Sequence, residues 1–232
     1  MYTREVNGKE LELGVSGKLY KDALVMFDRE TGTLWTQVDG KALRGPLVGS
    51  LLTEVPAIQT TWNAWKNLHP DTLVLQKPGP VRGSNYEGYF RDPAKRGLSG
   101  TRGDERLGGK DMILGVHEGG DAAAVPQSVL KRKFVIQFTL AGKPLVVMYA
   151  AAEQTPAVYR AAVDGKALSF RARKRGGGTV IEDVETGSVW SPLEGRAISG
   201  SLEGKLLERV PYLHSFWYAW SAYRPETRLV RE

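Results

Sequence analysis

Asp28-Arg-Glu-Thr-Gly-Thr-Leu-Trp35 returns later in the chain as Asp183-Val-Glu-Thr-Gly-Ser-Val-Trp190. The likeness does not stop there. Laid side by side without a gap, residues 28–75 and 183–230 share 19 of 48 positions. Each copy closes on Trp-x-Ala-Trp and a later Pro-x-Thr: Trp62, Ala64, Trp65, Pro70 and Thr72, then Trp217, Ala219, Trp220, Pro225 and Thr227. In each, a short apolar run ends at Asp, a Gly can take the left-handed position of a tight turn, and an apolar pair containing Trp starts the return. The duplication predicts a mainly β (α+β) fold of two internally repeated β-rich units, each with one Trp-bearing helix, related by a pseudo-two-fold.

Outward from the repeat, the signals are those of short strands joined by turns. Val6-Asn-Gly-Lys and Val163-Asp-Gly-Lys read as hairpins, because Asn-Gly and Asp-Gly tolerate the positive φ of a type I′ turn. Ala23 to Asp28 reads as an apolar strand. Val38-Asp-Gly-Lys-Ala-Leu and Leu193-Glu-Gly-Arg-Ala-Ile read as strand-turn-strand, and Leu51-Leu52 with Val55 as a short strand ended by Pro56. Helical spacing puts Trp62, Trp65 and Leu68 or His69 on one face, with Thr60 or Thr61 as N-cap and Pro70 as stop. The second helix takes Ser215 as cap, Trp217 and Trp220 as face and Pro225 as stop. Both Trp pairs are expected in the core, since each indole can bury up to ~250 Å². Leu73 to Leu75 and Leu229-Val230 read as closing strands. Ile113 to His117, Val135 to Leu140 and Leu145 to Tyr149 are further strands, and Ser128-Val-Leu ends a short helical turn. The division expected is a first repeat over 1–76, a connecting loop over 77–110, and a second repeat with its leading strands over 111–232, in one compact unit.

Composition narrows the chemistry. The 232 residues carry 32 basic and 26 acidic side chains, a net +6, which permits acidic partners without demanding them. No cysteine is present, so disulfides, thiolate nucleophiles and cysteine-bound zinc are excluded. No apolar run nears the ~18 residues of a membrane span. The opening Met1-Tyr-Thr-Arg-Glu is no signal peptide, so a soluble chain is expected, with its compartment open. Neither a Walker loop nor a Gly-x-Ser-x-Gly elbow occurs.

The residues quoted so far belong to a longer pattern. Ser16-Gly-Lys-Leu, Leu24-Val-Met-Phe-Asp-Arg-Glu-Thr, Gly45-Pro-Leu-Val-Gly, Thr61-Trp-Asn-Ala-Trp, His69-Pro-Asp-Thr-Leu-Val-Leu, Leu114-Gly-Val-His-Glu-Gly-Gly-Asp and Phe216-Trp-Tyr-Ala-Trp together resemble the bacterial and archaeal domain-of-unknown-function family 3179. The resemblance covers nearly the whole chain and implies no chemistry that can be carried over. Similar proteins place a strand and a Tyr-Cys-Pro-Leu-Cys-Gly motif before the first repeat; here the chain opens at about the end of that motif. The place equivalent by repeat, Tyr149-Ala-Ala-Ala-Glu, holds no cysteine. The first repeat also lacks a counterpart of Ile113 to Tyr149. Truncation, a short natural member, or a partner that completes the sheet would each account for this, and an unpaired edge invites association.

Candidate site residues follow from residue type. Asp28 and Glu30 with Asp183 and Glu185 are the repeated carboxylates; paired, they could share a proton or a hard cation, and alone each can bond its own turn backbone. Asp28 and Arg29 with His69 or His117 are the catalytic candidates. His69 also suits a helix C-terminus by charge. Trp35, Gln37, Tyr86, Tyr89 and Arg91 are the ligand-binding candidates, the last three because aromatics and Arg gather on an irregular connection. The histidines lack ligand spacing, so no metal site and no cofactor are expected. The basic runs Lys131-Arg132-Lys133 and Arg171 to Arg175 read as solvated faces, and nucleic acid is a weaker third reading. The leading expectation is a binding or scaffold protein without catalytic machinery. Its ligand would be a small molecule or a protein, and a homo-oligomer could form through the incomplete first repeat. The alternative is an enzyme, for instance a hydrolase, in a cleft between the repeats around Asp28 and Arg29.

Overall fold

The structure is a computed structural model that describes residues 1–76, 79, 86–97 and 104–231. The chain opens with a hairpin of β1 (Glu5–Val6) and β2 (Lys9–Glu10). Asn7 and Gly8 sit at φ of 51° and 74°, the positive pair a type I′ turn needs. β3 (Leu13–Tyr20), β4 (Ala23–Asp28), β5 (Leu34–Thr36) and β6 (Ala42–Arg44) follow as an antiparallel meander, with a register shift between Leu34 and Trp35. The first copy ends in α1 (Trp62–Leu68), capped by Thr61, whose hydroxyl accepts the Ala64 N–H. A further short helix, α2 (Glu87–Arg91), lies in the connection.

Next come β7 (Met112–Glu118), β8 (Asp121–Pro126), α3 (Gln127–Lys133), β9 (Val135–Leu140), β10 (Lys143–Ala150) and β11 (Thr155–Arg160). A second small hairpin, β12 (Ala162–Val163) and β13 (Lys166–Ala167), turns through Asp164 and Gly165 at φ of 49° and 76°. The second copy begins with β14 (Phe170–Arg175), β15 (Gly178–Asp183), β16 (Val189–Trp190) and β17 (Ala197–Ser199), another antiparallel meander, with a register shift between Val189 and Trp190. β18 (Leu213–Phe216), α4 (Trp217–Tyr223) and β19 (Arg228–Leu229) complete it. The architecture is therefore mainly β with several antiparallel sheets. Four helices occur among the described residues rather than two. No helix there is long and apolar enough to cross a membrane.

The core is organised by β10, the middle strand of the sheet β11-β10-β9. Successive side chains of a strand point to opposite faces. Leu145 and Val147 pack on one side with Leu114, Val125 and Leu130. Val146 and Met148 pack on the other with Phe170, Ile181 and Trp190 of the second meander. Both faces are dry, which is why Leu145 to Tyr149 is an unbroken apolar run. Each fully buried Leu, Val or Met contributes roughly 1.5–3 kcal/mol. The first meander has a smaller core of Val6, Leu11, Trp35, Ala42 and Leu52, and among the described residues no sheet covers it as β9–β11 covers the second.

Three local expectations need correction. The second helix is capped by Phe216, not Ser215, and without a side-chain bond. Its first N–H groups instead donate to the carbonyls of Asp111 and Gly109, both at 2.9 Å. Leu51 to Val55 forms only isolated bridges, Leu51 with Lys41 and Glu54 with Tyr2. Leu73 to Leu75 is not a strand and pairs with no strand among the described residues, whereas β19 pairs in parallel with β8.

Candidate functional site

The repeated carboxylates Asp28 and Asp183 each sit at the start of a tight turn. Asp28 is fully buried, and its Oδ1 accepts the Thr31 N–H at 2.6 Å and the Thr31 hydroxyl at 2.8 Å, while Oδ2 accepts the Trp35 indole N–H at 2.8 Å. Asp183 does the same with Thr186 (2.6 and 2.7 Å) and with the Trp190 indole at 2.9 Å. The motif is thus a device for holding a buried Trp on a tight turn. Burial opposes the charge of Asp28, but the donors of Trp35, Thr31 and Thr33 outweigh it and hold the carboxyl below the usual range. Glu30 accepts the backbone N–H of Glu12 at 2.9 Å, and Glu185 that of Ser169 at 3.0 Å, tying each turn to the strand beside it.

The four catalytic candidates do not converge: no hydrogen bond or ion pair among the described residues links any two of Asp28, Arg29, His69 and His117. Arg29 donates to Glu12 Oε1 at 2.6 Å in a largely exposed pair, worth at most about 1 kcal/mol. His69 stacks on Trp65, ring centres 4.3 Å apart. His117, on β7, has its Nε2 3.0 Å from Glu54 Oε1. That pair lines a cavity of about 270 Å³ at the seam between the first meander and the second half, with Tyr2, Gln37, Met26 and Tyr212 around it. Burial works against the charge of Glu54; the hydrogen bond and charge of His117, the terminal amine and Arg224 prevail and keep it below its ordinary value. Burial first, then Glu54 and Asp39, push the Tyr2 hydroxyl upward, so it stays protonated at neutral pH. No Ser or Thr hydroxyl donates to His117 among the described residues.

The ligand-binding candidates scatter too. Trp35 is wholly buried under Asp28. Gln37 lines the seam cavity, and its carbonyl accepts the Tyr2 hydroxyl at 3.1 Å. Tyr89 bonds the Tyr218 hydroxyl at 2.8 Å, and Lys110 Nζ stands 3.7 Å from the centre of its ring, so Tyr89 clasps the connection to α4. Tyr86 is exposed, and Arg91 pairs with Glu87 one helical turn away. Parts of the connection, including Asn85, fall outside the described residues. Of the basic runs, Arg171 and Arg173 are held by Glu182 at 2.7 and 3.2 Å, and Lys131 to Lys133 form the last turn of α3, where the helix dipole favours cations. No group of three or more His, Asp or Glu that could hold a metal ion occurs among the described residues.

The largest departure from expectation concerns the Trp pairs. Trp217 and Trp220 are buried, at 0% and 1% exposure, against Ile113 and Ala124 of the β7–β8 hairpin. Trp62 and Trp65 are not core: they stand 50% and 38% exposed, beside Leu73 and Leu75 at 96% and 86%. Yet the local geometry is the same. The Trp65 indole donates to Thr72 and the Trp220 indole to Thr227, both at 2.9 Å. The residues closing the helices, His69 and Arg224, have φ, ψ of −134°, 73° and −133°, 72°. One copy is covered by a hairpin, and among the described residues no hairpin covers the other.

Fold and site together define a mainly β protein built on a duplicated Asp-Trp turn, with a seam cavity and an uncovered aromatic helix. The chain belongs to the DUF3179 family, described as proteins of unknown function, whose model matches residues 1–227. No curated protein and no solved structure matches it.

Proposed function

We propose that this chain is a binding or scaffold protein without catalytic machinery of its own. Its two repeated units, a first over 1–76 and a second over 111–232 joined by 77–110, would be related by a pseudo-two-fold and differ in what covers their helices. The observation that carries this reading is the exposed face of Trp62, Trp65 and Leu75, whose counterparts Trp217, Trp220 and Val230 in the second copy are buried. A large exposed apolar patch on an otherwise well-packed protein marks a surface that another molecule covers. The occupied carboxylates agree with it, since Asp28, Glu30, Asp183 and Glu185 are each engaged in holding a turn.

One observation favours a second reading, an enzyme at the seam: the 3.0 Å His117–Glu54 pair facing a cavity of about 270 Å³. In that case His117 would be the general base and Glu54 its orienting partner, in place of the grouping around Asp28 and Arg29. A turnover panel of esters, glycosides, phosphoesters and peptides, run on wild type and His117→Asn, separates the two. Silence across the panel agrees with the binding reading. Turnover that disappears in His117→Asn overturns it.

A further inference from the structure

We infer that the bare face of the first copy is a docking site for a glycine-bearing β-hairpin donated by another polypeptide, a partner that rests on the binding reading above. The second copy shows what such a face takes. There, β18 pairs antiparallel with β7, setting Leu213 opposite Gly115 and Phe216 opposite Met112. On the other side β19 pairs parallel with β8, setting Leu229 opposite Ala124. The hairpin β7–β8 thus bridges the segment before the helix and the segment after it, and lies over both indoles. Gly115 is required by that approach: a Cβ there would fall 2.5 Å from the Trp220 ring.

The helix, its two indoles and the segments on either side of it have counterparts in the first copy. Ile58 to Thr61 takes the place of β18, Leu73-Val74 that of β19, and Trp62 and Trp65 those of Trp217 and Trp220. Neither segment belongs to a strand. The helix, its cap backbone and the indole-to-Thr bond already hold the covered geometry, so the site is formed before anything binds. Trp65 also borders a cavity of about 530 Å³ shared with Ile58, Leu193, Leu206 and Arg209, which leaves room beside the segment that precedes the helix. The incoming hairpin would set one strand antiparallel to Ile58–Thr61, with its glycine opposite Ile58 and over Trp65, and the other parallel to Leu73-Val74 with a small side chain inward. This is recognition by strand addition, where the backbone gives affinity and the shape of the inner face gives selectivity.

The chain supplies its own probe. A synthetic peptide of residues 112–126, cyclised through its adjacent ends because a lone hairpin is marginally stable, is titrated into the full chain labelled at the tryptophan indole nitrogens. Replacing each Trp in turn by Phe assigns the signals. The expected result is a saturable shift of the Trp62 and Trp65 indole signals, with Trp217 and Trp220 unmoved because their own hairpin is tethered at high effective concentration. A peptide carrying Gly115→Val is expected to bind roughly tenfold or more weakly, the clash being worth 1–3 kcal/mol. A monomeric chain whose Trp62 and Trp65 signals never move overturns the inference, as does equal binding of the valine peptide. Sedimentation without peptide adds a third outcome. A dimer that protects Trp62 and Trp65 would make the occupant a second copy, which overturns the hairpin while leaving the binding reading to stand or fall on the turnover panel.

Discussion

Trp65→Ala and Trp220→Ala remove the same side chain from the same helix position in two copies of one unit. The structure requires them to have different effects. Trp220 is 1% exposed and Trp65 38%. A Trp side chain offers up to ~250 Å², so the two differ by roughly 90 Å² of buried surface, or about 2 kcal/mol at 25 cal/mol/Å². A cavity term adds to the first alone, because the hairpin over Trp220 cannot fully collapse onto an Ala. Trp220→Ala is therefore expected to cost about 3–5 kcal/mol, in line with large-to-small changes in cores. Trp65→Ala is expected to cost about 1–2 kcal/mol, part of it returned by the better helix propensity of Ala. In a chain of this size that separates the melting temperatures by roughly 4–12 °C. Urea unfolding followed by far-ultraviolet circular dichroism measures both without relying on the deleted fluorophores. Losses within ~1 kcal/mol of each other would refute the distinction between a covered and an uncovered copy, and the docking site with it.

Asp28→Ala and Asp183→Ala each orphan a buried indole N–H and a turn N–H, at about 1–3 kcal/mol per donor, with Asn restoring part of the loss; thermal unfolding of the four variants checks this. Because the Asp28 carboxyl is held below its ordinary range, its contribution is fully present above the unfolded value of ~3.9 and is lost as the pH falls through the lower folded one. Wild type should accordingly lose more stability than Asp28→Asn as the pH is taken below ~4, and parallel melting curves would count against the assignment. Gly195 and Gly8 both have positive φ, at 66° and 74°. A Cβ at Gly195 would meet the Tyr159 ring at 2.4 Å, and one at Gly8 meets nothing within 4 Å. Gly8→Ala should cost about 1 kcal/mol of backbone strain and Gly195→Ala a further 1–3 kcal/mol, readable as two denaturation midpoints.

What the chain discloses locally it discloses well. Asn7-Gly8 and Asp164-Gly165 turn as their dipeptides require, and Ala23 to Asp28 is a strand with the expected bounds. Thr61 caps α1 because the hydroxyl and the N–H it serves are three residues apart. Where the partner is distant, the sequence is silent. Phe216 can stand at a helix start only because carbonyls of Gly109 and Asp111, about a hundred positions earlier, receive the exposed N–H groups. Glu54 precedes Val55-Pro56 with nothing to mark it as the partner of His117, 63 positions on. The burial of a Trp belongs to the same class. Trp-x-Ala-Trp is written identically in both copies, and whether it is core depends on a hairpin that, among the described residues, only the second copy has beside it.

That last point bears on why the first copy kept its aromatics. An exposed helix gains less stability from half-exposed indoles than from buried ones, and a run such as Leu73-Val74-Leu75 adds an association hazard. The second copy, which is covered, carries Arg228 and Tyr223 at positions where the bare copy has Leu73 and Leu68. The bare face is thus, at these two positions, the more apolar of the two. Burial that occurs only in a complex fits the apolar residues at these two positions, because the free energy of covering them is then realised on binding instead of on folding. A chain carrying Trp62→Glu and Trp65→Glu tests the point. It should still fold, losing about 1–2 kcal/mol for the partly buried Trp65, and lose the docked hairpin altogether. If it unfolds instead, the face is needed for folding and its exposure has another cause.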